Sequence, residues 1–326
     1  MQPAPREQRR PEPVGDTGTS RSTVFLCGPQ YVLGELESDF STIDNLQARA
    51  EEFRMVPEPE LWGWGSVFRT ERSLEAMAID SGSATLRAAG VDPSSVDALV
   101  LCCTDVPGPA RAHGRFVETI LTGIRLGDIA FYGLNLNRCV NLLAALDVAS
   151  SLVASGRYRR VLVITTDRVR DEEDRVLPYA LLSDGAASCI VAADGEGRDR
   201  YQLISCAAAQ DTRSLDWSNE ISADLARRVN ETLLTPLEMR LGDVSGLMHA
   251  NIFKPLVVMK ERQAGFTPEQ IYTDNIARVG HCFAADPLIN LVDRTPAGHV
   301  RPNRTYMLAS SVPGLRMGVL LRKLAD

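Results

Sequence analysis

The sequence predicts an α/β protein built from two related halves. Residues 98–103 are apolar throughout, as in a strand inside a sheet that is covered on both faces. Helical repeats and further apolar runs alternate on either side of this segment, which is typical of parallel strands joined by helices. The length of 326 residues suits two fused halves of about 150 residues each.

The composition is that of a globular protein, with 44% hydrophobic and 24% charged residues. The net charge of −7 argues against nucleic acid as a main partner, because neutralising phosphates requires a basic surface. Seven cysteines without paired spacing favour a reduced, cytoplasmic setting. No run of about 18 apolar residues could span a membrane, so a soluble protein is expected. Residues 1–22 predict a disordered tail without a signal sequence.

The first half is expected to alternate strands and helices around one long loop. A first strand over 24–27 is broken by Gly28 and Pro29, and a helix over 73–89 is stopped by Gly90. The later segments are a strand over 98–103, a helix over 111–122 and strands over 128–132, 161–166 and 189–192. The loop over 39–69 holds Trp62 and Trp64 between glycines. These tryptophans either stack on a ligand ring or plug the edge of the core.

The second half is expected to repeat this alternation of strands and helices over fewer residues. The turn-forming residues 194–197 mark the boundary, so the N-terminal half covers 23–195 and the C-terminal half 196–326. Strands are expected over 201–208 and 246–249. Helices are expected over 221–238, 251–262 and 268–277, and a further helix begins within 280–287. A closing hairpin pairs residues 306–309 with residues 318–321. Each half ends in strands after its helices, which indicates an internal duplication.

Cys139 is a candidate nucleophile at the start of a helix. The spacing of apolar residues predicts a helix over 137–154, with Asn137 as its N-cap and Gly156 as its left-handed C-terminal cap. A thiol in the first turn meets unpaired backbone N–H groups and the positive end of the helix dipole, which favour the thiolate. The alternative is a small buried residue packed under a turn.

The order and spacing of several short motifs resemble the ketosynthase III group (β-ketoacyl-acyl-carrier-protein synthase III) of the thiolase-fold condensing enzymes, from about residue 24 to the end. The matching segments are 69–73, 89–97, Thr104-Asp105, Cys139, 183–187, His249, Gly280-His281, and Gly314 with Gly318. The resemblance implies a thiolase fold: two duplicated βαβαβ-type halves with mixed sheets in an αβαβα layered arrangement. It also implies a cytoplasmic homodimer that pairs through residues 128–132.

The resemblance assigns catalytic roles to three side chains. Cys139 matches the acylated nucleophile, and His249 and His281 match the active-site positions of the family, His281 standing where ketosynthase III enzymes usually carry asparagine. In a condensation, both histidines would donate from Nε2–H to a malonyl thioester as carbon dioxide leaves. In an acyl transfer to oxygen or nitrogen, one histidine would take the acceptor's proton.

The oxyanion hole is expected to depart from the family pattern. The backbone N–H of Cys139 supplies one donor. Pro313 falls on the central glycine of the family's second donor loop and has no N–H. Either the register shifts and Gly314 is the second donor, or the oxyanion site differs from that of a standard condensing enzyme. Val140 and Asn141 replace a small-residue–glycine pair, which predicts a different wall of the acyl pocket.

Four residues are expected on the thioester-binding side. By the resemblance, Trp62 or Trp64 stacks on the adenine of coenzyme A, Arg175 lies at the nucleotide, and Lys254 meets phosphate or an acidic carrier protein. The substrate is then an acyl-CoA or acyl-carrier-protein thioester, with no permanently bound cofactor and no metal.

The sequence therefore predicts ketosynthase III-like acyl transfer through Cys139. The acceptor is either a malonyl-type carbanion or a small molecule with an oxygen or nitrogen nucleophile. An alternative is a catalytically silent subunit that binds a carrier protein or pairs with an active partner. A third reading, an aldol condensation like that of hydroxymethylglutaryl-CoA synthase, lacks a motif-matched glutamate.

Overall fold

A computed structural model describes residues 23–195, 197, 199–215 and 222–325. The expected tail over 1–22, the first residue of the expected C-terminal half (196) and the start of the expected helix at 221 lie outside the described residues. The strands are β1 (Val24–Leu33), β2 (Leu36–Asp39), β3 (Ser66–Arg69), β4 (Ala98–Cys102), β5 (Ala130–Leu134), β6 (Arg160–Asp167), β7 (Val176–Leu177), β8 (Ala180–Leu181), β9 (Gly185–Ala192), β10 (Arg200–Gln210), β11 (Val244–Met248), β12 (Thr305–Val312) and β13 (Leu315–Lys323). The helices are α1 (Leu46–Glu52), α2 (Pro59–Trp62), α3 (Leu74–Ala89), α4 (His113–Ile124), α5 (Asn141–Ala154), α6 (Ala223–Leu234), α7 (Lys254–Gln263), α8 (Asp274–Arg278) and α9 (Asp286–Arg294).

One continuous mixed sheet runs through the molecule, with the strand order β11-β12-β13-β10-β1-β9-β6-β4-β5. In the first series, β9 pairs antiparallel with β1, β6 pairs antiparallel with β9, and β4 pairs parallel with β6. From β10 outwards, β13, β12 and β11 repeat the same pattern. The two series meet where β1 pairs antiparallel with β10. The predicted duplication with mixed sheets is therefore confirmed, while the boundary at residue 196 stays a prediction.

The helices form three layers around the two series of strands. Helices α3 and α4 cover the outer face of the first series, and α6 covers the outer face of the second. Helices α5 and α9 lie between the series, since each contacts strands of both halves. This arrangement confirms the αβαβα layering and places the start of α5 at the centre of the molecule.

Local sequence signals account for the helices nearest the site. In α3, the Ser73 hydroxyl accepts a hydrogen bond from the backbone N–H of Ala76, and Gly90 ends the helix with a φ of 65°. In α5, Gly156 takes the expected left-handed conformation with a φ of 73°. The expected N-cap is wrong, because the Asn137 side chain makes no capping hydrogen bond and the α-helix begins at Asn141.

Two further expectations about the first half are corrected. Strand β1 continues through Gly28 and Pro29 to Leu33, because a shift of register between Cys27 and Gln30 absorbs the turn-forming pair. A side chain at Gly28 would place its Cβ 2.7 Å from the backbone nitrogen of Ala89. Residues 39–69 do not form one loop, since they contain α1, α2 and β3.

Among the described residues, no helix has the length and apolar character needed to cross a membrane.

Candidate active site

Cys139 lies in a tight turn that leads into the central helix. Residues Arg138–Val140 form a single 3₁₀ turn directly before α5, and Arg138 has a left-handed φ of 54°. A non-glycine residue in this region is strained and persists only where the surrounding structure holds it. The turn leaves Cys139 partly exposed on the wall of a cavity, while Val140 behind it is completely buried.

Hydrogen bonds from three directions hold this turn. The Asn141 side chain accepts from the backbone N–H of Asn137 (3.0 Å) and donates to the carbonyl of Cys103 (3.2 Å) at the end of β4. The Ser310 hydroxyl on β12 donates to the carbonyl of Cys139 at 3.0 Å. Asn141 is thus a buried brace. Neither it nor Val140 is among the residues that line the cavity, and a pocket wall different from that of the family stays a prediction.

His281 faces the sulfur of Cys139. Its Nε2 lies 3.3 Å from Cys139 Sγ, and its Nδ1 lies 2.5 Å from a carboxylate oxygen of Asp286. The same carboxylate accepts hydrogen bonds from the backbone N–H groups of Cys282 (2.7 Å) and Asn251 (2.6 Å). A carboxylate so held keeps the proton of a neutral imidazole on Nδ1 and leaves the Nε2 lone pair directed at the thiol.

The surroundings of His281 favour its protonated form. Burial opposes the charge, but the Asp286 carboxylate and the sulfur of Cys139 raise the pKa of His281 to about 10. His281 and Asp286 are both almost completely buried, so their attraction is little screened by solvent. The three side chains can therefore form a nucleophile, a base and an orienting acid.

His249 occupies a different environment from the one expected. Its Nδ1 lies 2.6 Å from the carbonyl of Ala250, so this nitrogen carries the proton in a neutral ring. Nε2 is buried and meets no partner within ordinary hydrogen-bond geometry among the described residues. Burial lowers the pKa of His249, while contacts with the backbone of Ala250 and Tyr272 oppose that shift. Neutral His249 therefore has no Nε2–H to donate. The structure also does not place it along the cavity that holds Cys139 and His281.

The cavity beside Cys139 has a volume of about 560 Å³. Apolar side chains form much of its wall, among them Leu177, Ile252, Leu256, Met259 and Phe283. Its polar wall includes Thr104, Arg138, Tyr179, Lys260 and Ser311. Such a mostly apolar space with a few polar groups is suited to an acyl chain or a small organic molecule.

The residues of the expected oxyanion loop differ in whether they line this cavity. Pro313 lines it, and its carbonyl accepts a hydrogen bond from Arg138 Nη2 at 3.0 Å. Gly314 is the second residue of the tight turn between β12 and β13, and a Cβ there would lie 2.8 Å from the backbone of Asp211. Gly314 is not a lining residue, so its role as second donor stays a prediction, as does that of Cys139 N–H.

The structure does not place the four expected thioester-binding residues along the cavity. Trp64 is buried against Phe40 and Phe253, and Trp62 donates from its indole N–H to the carbonyl of Val56. Arg175 is 1% exposed, and its guanidinium contacts Glu172 and Asp184. Lys254 is exposed at the start of α7. Their roles stay predictions, and the geometry gives Trp64 and Arg175 structural contacts. Among the described residues, no group of three or more His, Cys, Asp or Glu side chains could hold a metal ion.

Asp286 is the functional residue that the sequence analysis missed. It is the first residue of α9 and follows His281 by five positions. The sequence contains one signal that could have indicated Asp286: an acidic residue at the start of a helix, a few positions after a motif histidine. The chain turns before such a helix, and this turn can bring the carboxylate and the imidazole together.

Comparisons with known proteins find similarity to one group of enzymes. The family described as 3-oxoacyl-[acyl-carrier-protein (ACP)] synthase III matches residues 135–212, the segment that begins just before Cys139. The β-ketoacyl-[acyl-carrier-protein] synthase III of Bradyrhizobium sp. (strain BTAi1) is 31% identical over 204 residues, which are 57% of this chain and 57% of that protein. The chain thus aligns with little more than half the length of this relative.

Two solved structures share the fold over nearly their full length. ChlB3, named an acyltransferase, has a TM-score of 0.78 at 15% identity and covers 93% of this chain and 98% of its own. The 3-oxoacyl-[acyl-carrier-protein] synthase III of Aquifex aeolicus has a TM-score of 0.74 at 18% identity, covering 92% and 99%. At these identities the likeness shows the fold alone. Together with the matching family segment and the curated relative, it shows that the chain has the thiolase fold and is similar to the ketosynthase III group.

Proposed function

We propose that this protein is an acyltransferase that carries an acyl group on Cys139 and passes it to a hydroxyl or amine. The observation that carries the proposal is the continuous chain of contacts from Asp286 through His281 to the sulfur of Cys139. An acid, a base and a nucleophile in this order are suited to two-step acyl transfer.

In the first step, His281 Nε2 holds the proton that it shares with the Cys139 sulfur, in line with its raised pKa, and the sulfur attacks the carbonyl carbon of a thioester. The new carbon–sulfur bond forms as the bond to the carrier thiol breaks, and the protonated histidine returns its proton to that leaving thiolate. The Asp286 carboxylate stabilises the imidazolium during this exchange.

In the second step, His281 acts again as the base. It removes the proton from an acceptor hydroxyl or amine as that atom attacks the acyl-enzyme carbonyl. The bond to Cys139 then breaks, and His281 returns the proton to the sulfur, so that the thiol is restored. The acceptor atom gains the acyl group, and no oxidant or metal is needed.

The state of His249 favours a heteroatom acceptor over a carbanion. Decarboxylative condensation would use N–H donors of two histidines on the malonyl thioester, whereas the Nε2 of His281 faces Cys139 and neutral His249 carries its proton on Nδ1. The fold match to ChlB3, named an acyltransferase, is consistent with this choice.

The donor is expected to be an acyl-CoA or acyl-carrier-protein thioester. The relatives in the comparisons are named for acyl-carrier-protein substrates, which supports this class of donor. The cavity of about 560 Å³ beside Cys139 has room for an acyl group in its apolar part.

The test is the intact mass of the protein after incubation with a panel of acyl-CoA and acyl-carrier thioesters. We expect a mass gain of one acyl group that is absent in Cys139→Ala. Adding a panel of alcohols and amines should then discharge the acyl-enzyme and yield an ester or amide, whereas malonyl thioester should not. Discharge by malonyl thioester to a β-ketoacyl product would overturn the heteroatom acceptor, and no adduct with any donor would favour a silent subunit.

A further inference from the structure

Three charged side chains lie buried together beside the cavity. Glu261 and Arg316 are fully buried and form a two-pronged ion pair, with nitrogen–oxygen distances of 2.8 and 3.0 Å. Lys260 Nζ lies 3.0 Å from the same carboxylate and is 5% exposed. Burial opposes the charge of Glu261, but Arg316 and Lys260 lower its pKa to about 2. The cluster therefore places two basic side chains around one carboxylate; burial lowers the pKa of Lys260, and the charge of Glu261 opposes that shift.

The surplus positive charge lies at the cavity wall. Lys260 lines the cavity together with Ser311, whose hydroxyl is 3.4 Å from Lys260 Nζ and 3.0 Å from Arg316 Nη1. Cys139 and His281 line the same cavity. No aspartate or glutamate among the described residues belongs to its wall, although the whole chain carries a net charge of −7. The inside of the cavity is thus opposite in sign to the protein.

Lys260 lies beside a carboxylate that is already paired with Arg316, and this arrangement needs a physical explanation. Glu261 and Arg316 neutralise each other, so Lys260 adds a buried charge with no carboxylate of its own. Burying such a charge is unfavourable unless an anion compensates it. Because Lys260 faces the cavity, the compensating anion can come from a bound molecule.

We propose that Lys260, supported by Ser311, Glu261 and Arg316, binds a carboxylate carried by the small-molecule substrate of this cavity. The carboxylate belongs either to the acyl group, as in an acyl chain ending in a second acid, or to the acceptor. The statement that the bound molecule is a substrate rests on the proposed function. The statement that Lys260 binds a carboxylate does not depend on the reaction.

The first test measures binding without turnover. Iodoacetamide alkylates Cys139, and a molecule that fills the cavity should slow this reaction. Hexanoate and hexanamide have the same shape and differ in charge. We expect hexanoate to protect Cys139 at a concentration about tenfold lower than hexanamide, because a charge-assisted hydrogen bond adds that much affinity.

The matched variants are Lys260→Met and Arg262→Met. Both remove one positive charge from α7, but Lys260 is buried at the cavity and Arg262 is exposed. Lys260→Met leaves the Glu261–Arg316 pair intact, so the fold should be retained, which a thermal melt checks. We expect the preference for hexanoate to vanish in Lys260→Met and to persist in Arg262→Met. Equal protection by both compounds in wild type, or a preference that survives in Lys260→Met, would overturn the proposal.

A second measurement identifies which substrate carries the carboxylate. Acylation of Cys139 by glutaryl and pentanoyl thioesters of N-acetylcysteamine is followed by mass, since these donors lack the phosphates of coenzyme A. Slower glutaryl but unchanged pentanoyl acylation in Lys260→Met would assign the carboxylate to the acyl group. Unchanged acylation by both, with the hexanoate preference lost, would assign it to the acceptor. Failure of all acylation would contradict the proposed function and leave the hexanoate result valid.

Discussion

At the scale of single residues, the carboxylate of Asp286 organises the site. It lies 2.5 Å from His281 Nδ1 and accepts backbone hydrogen bonds from Cys282 and Asn251. These contacts orient the imidazole and prepare it to carry a proton. A thiol and a histidine alone would leave the ring free to rotate and its tautomer undetermined.

Asp286→Asn should therefore impair catalysis more than stability at neutral pH. An asparagine keeps the size of the side chain but loses the charge that stabilises the imidazolium, as in other triads of this type. We expect acylation of Cys139 to slow by about two to four orders of magnitude, measured by the rate of mass gain with a donor that acylates wild type. A rate within a factor of about three of wild type would show that Asp286 only supports the fold.

The same pair should make stability depend on pH. His281 has a pKa of about 10 in the folded protein and about 6.5 in an unfolded chain. The stabilisation from its proton is thus fully present below about pH 6.5 and is lost as the pH rises through 10. We expect the difference in unfolding free energy between wild type and Asp286→Asn, from urea denaturation, to shrink from pH 6 to pH 10. A difference that is constant over this range would contradict the ion pair.

At the scale of secondary structure elements, Asp184 connects three segments to the start of β9. Its carboxylate accepts backbone hydrogen bonds from Thr70 and Val169, both at 2.9 Å, and lies 3.4 Å from Arg175 Nη1. Asp184 itself is 2% exposed. The backbone N–H of the preceding Ser183 donates to the carbonyl of His281, so this junction also supports His281.

Asp184→Ala should destabilise the fold. It leaves the buried N–H of Val169 and the partly buried N–H of Thr70 without their acceptor and weakens the compensation of the buried Arg175. The expected loss is about 3 kcal/mol of unfolding free energy, measured by urea denaturation at pH 7. The control is Glu173→Ala, an exposed change nearby that should alter the value by less than about 0.5 kcal/mol. Equal stability of the two variants would refute this role.

At the scale of the whole molecule, β5 is the outermost strand of the central sheet next to β4. Phe131 on this strand is 52% exposed. An open edge with an exposed aromatic side chain is prone to pair with another strand. A two-fold related copy could continue the sheet there, which is the homodimer expected from the sequence.

Phe131→Asp should then convert a dimer into a monomer, because two like charges would face each other near the symmetry axis. Sedimentation velocity of wild type and variant measures this directly. Leu36→Asp serves as the control, since Leu36 is similarly exposed at 47% but lies in the separate β2–β3 sheet. A wild type that sediments as a monomer, or a variant that stays dimeric, would exclude pairing through β5.

Much of this protein can be predicted from its sequence, because the relevant signals are local. Apolar runs and helical periodicity predict β4 and α3, and Ser73 and Gly90 mark the ends of α3 through bonds within a few residues. The order of motifs predicts the fold and draws attention to Cys139 and His281. Where local signals conflict with the sheet, they fail: Gly28 and Pro29 predict a break that the pairing of β1 with β9 overrides.

Tertiary structure alone decides how these residues act together. Cys139 and His281 lie 142 positions apart and meet only because α5 and α9 share the central layer. The proton position on His249 depends on the orientation of one backbone carbonyl, and the arginine that forms the two-pronged ion pair with Glu261 is Arg316, 55 residues away. The sequence by itself determined the fold and predicts Cys139 and His281 as reactive side chains, because periodicity and motif order are encoded along the chain. Their charges, tautomers and partners follow from contacts between distant segments, which no local pattern contains.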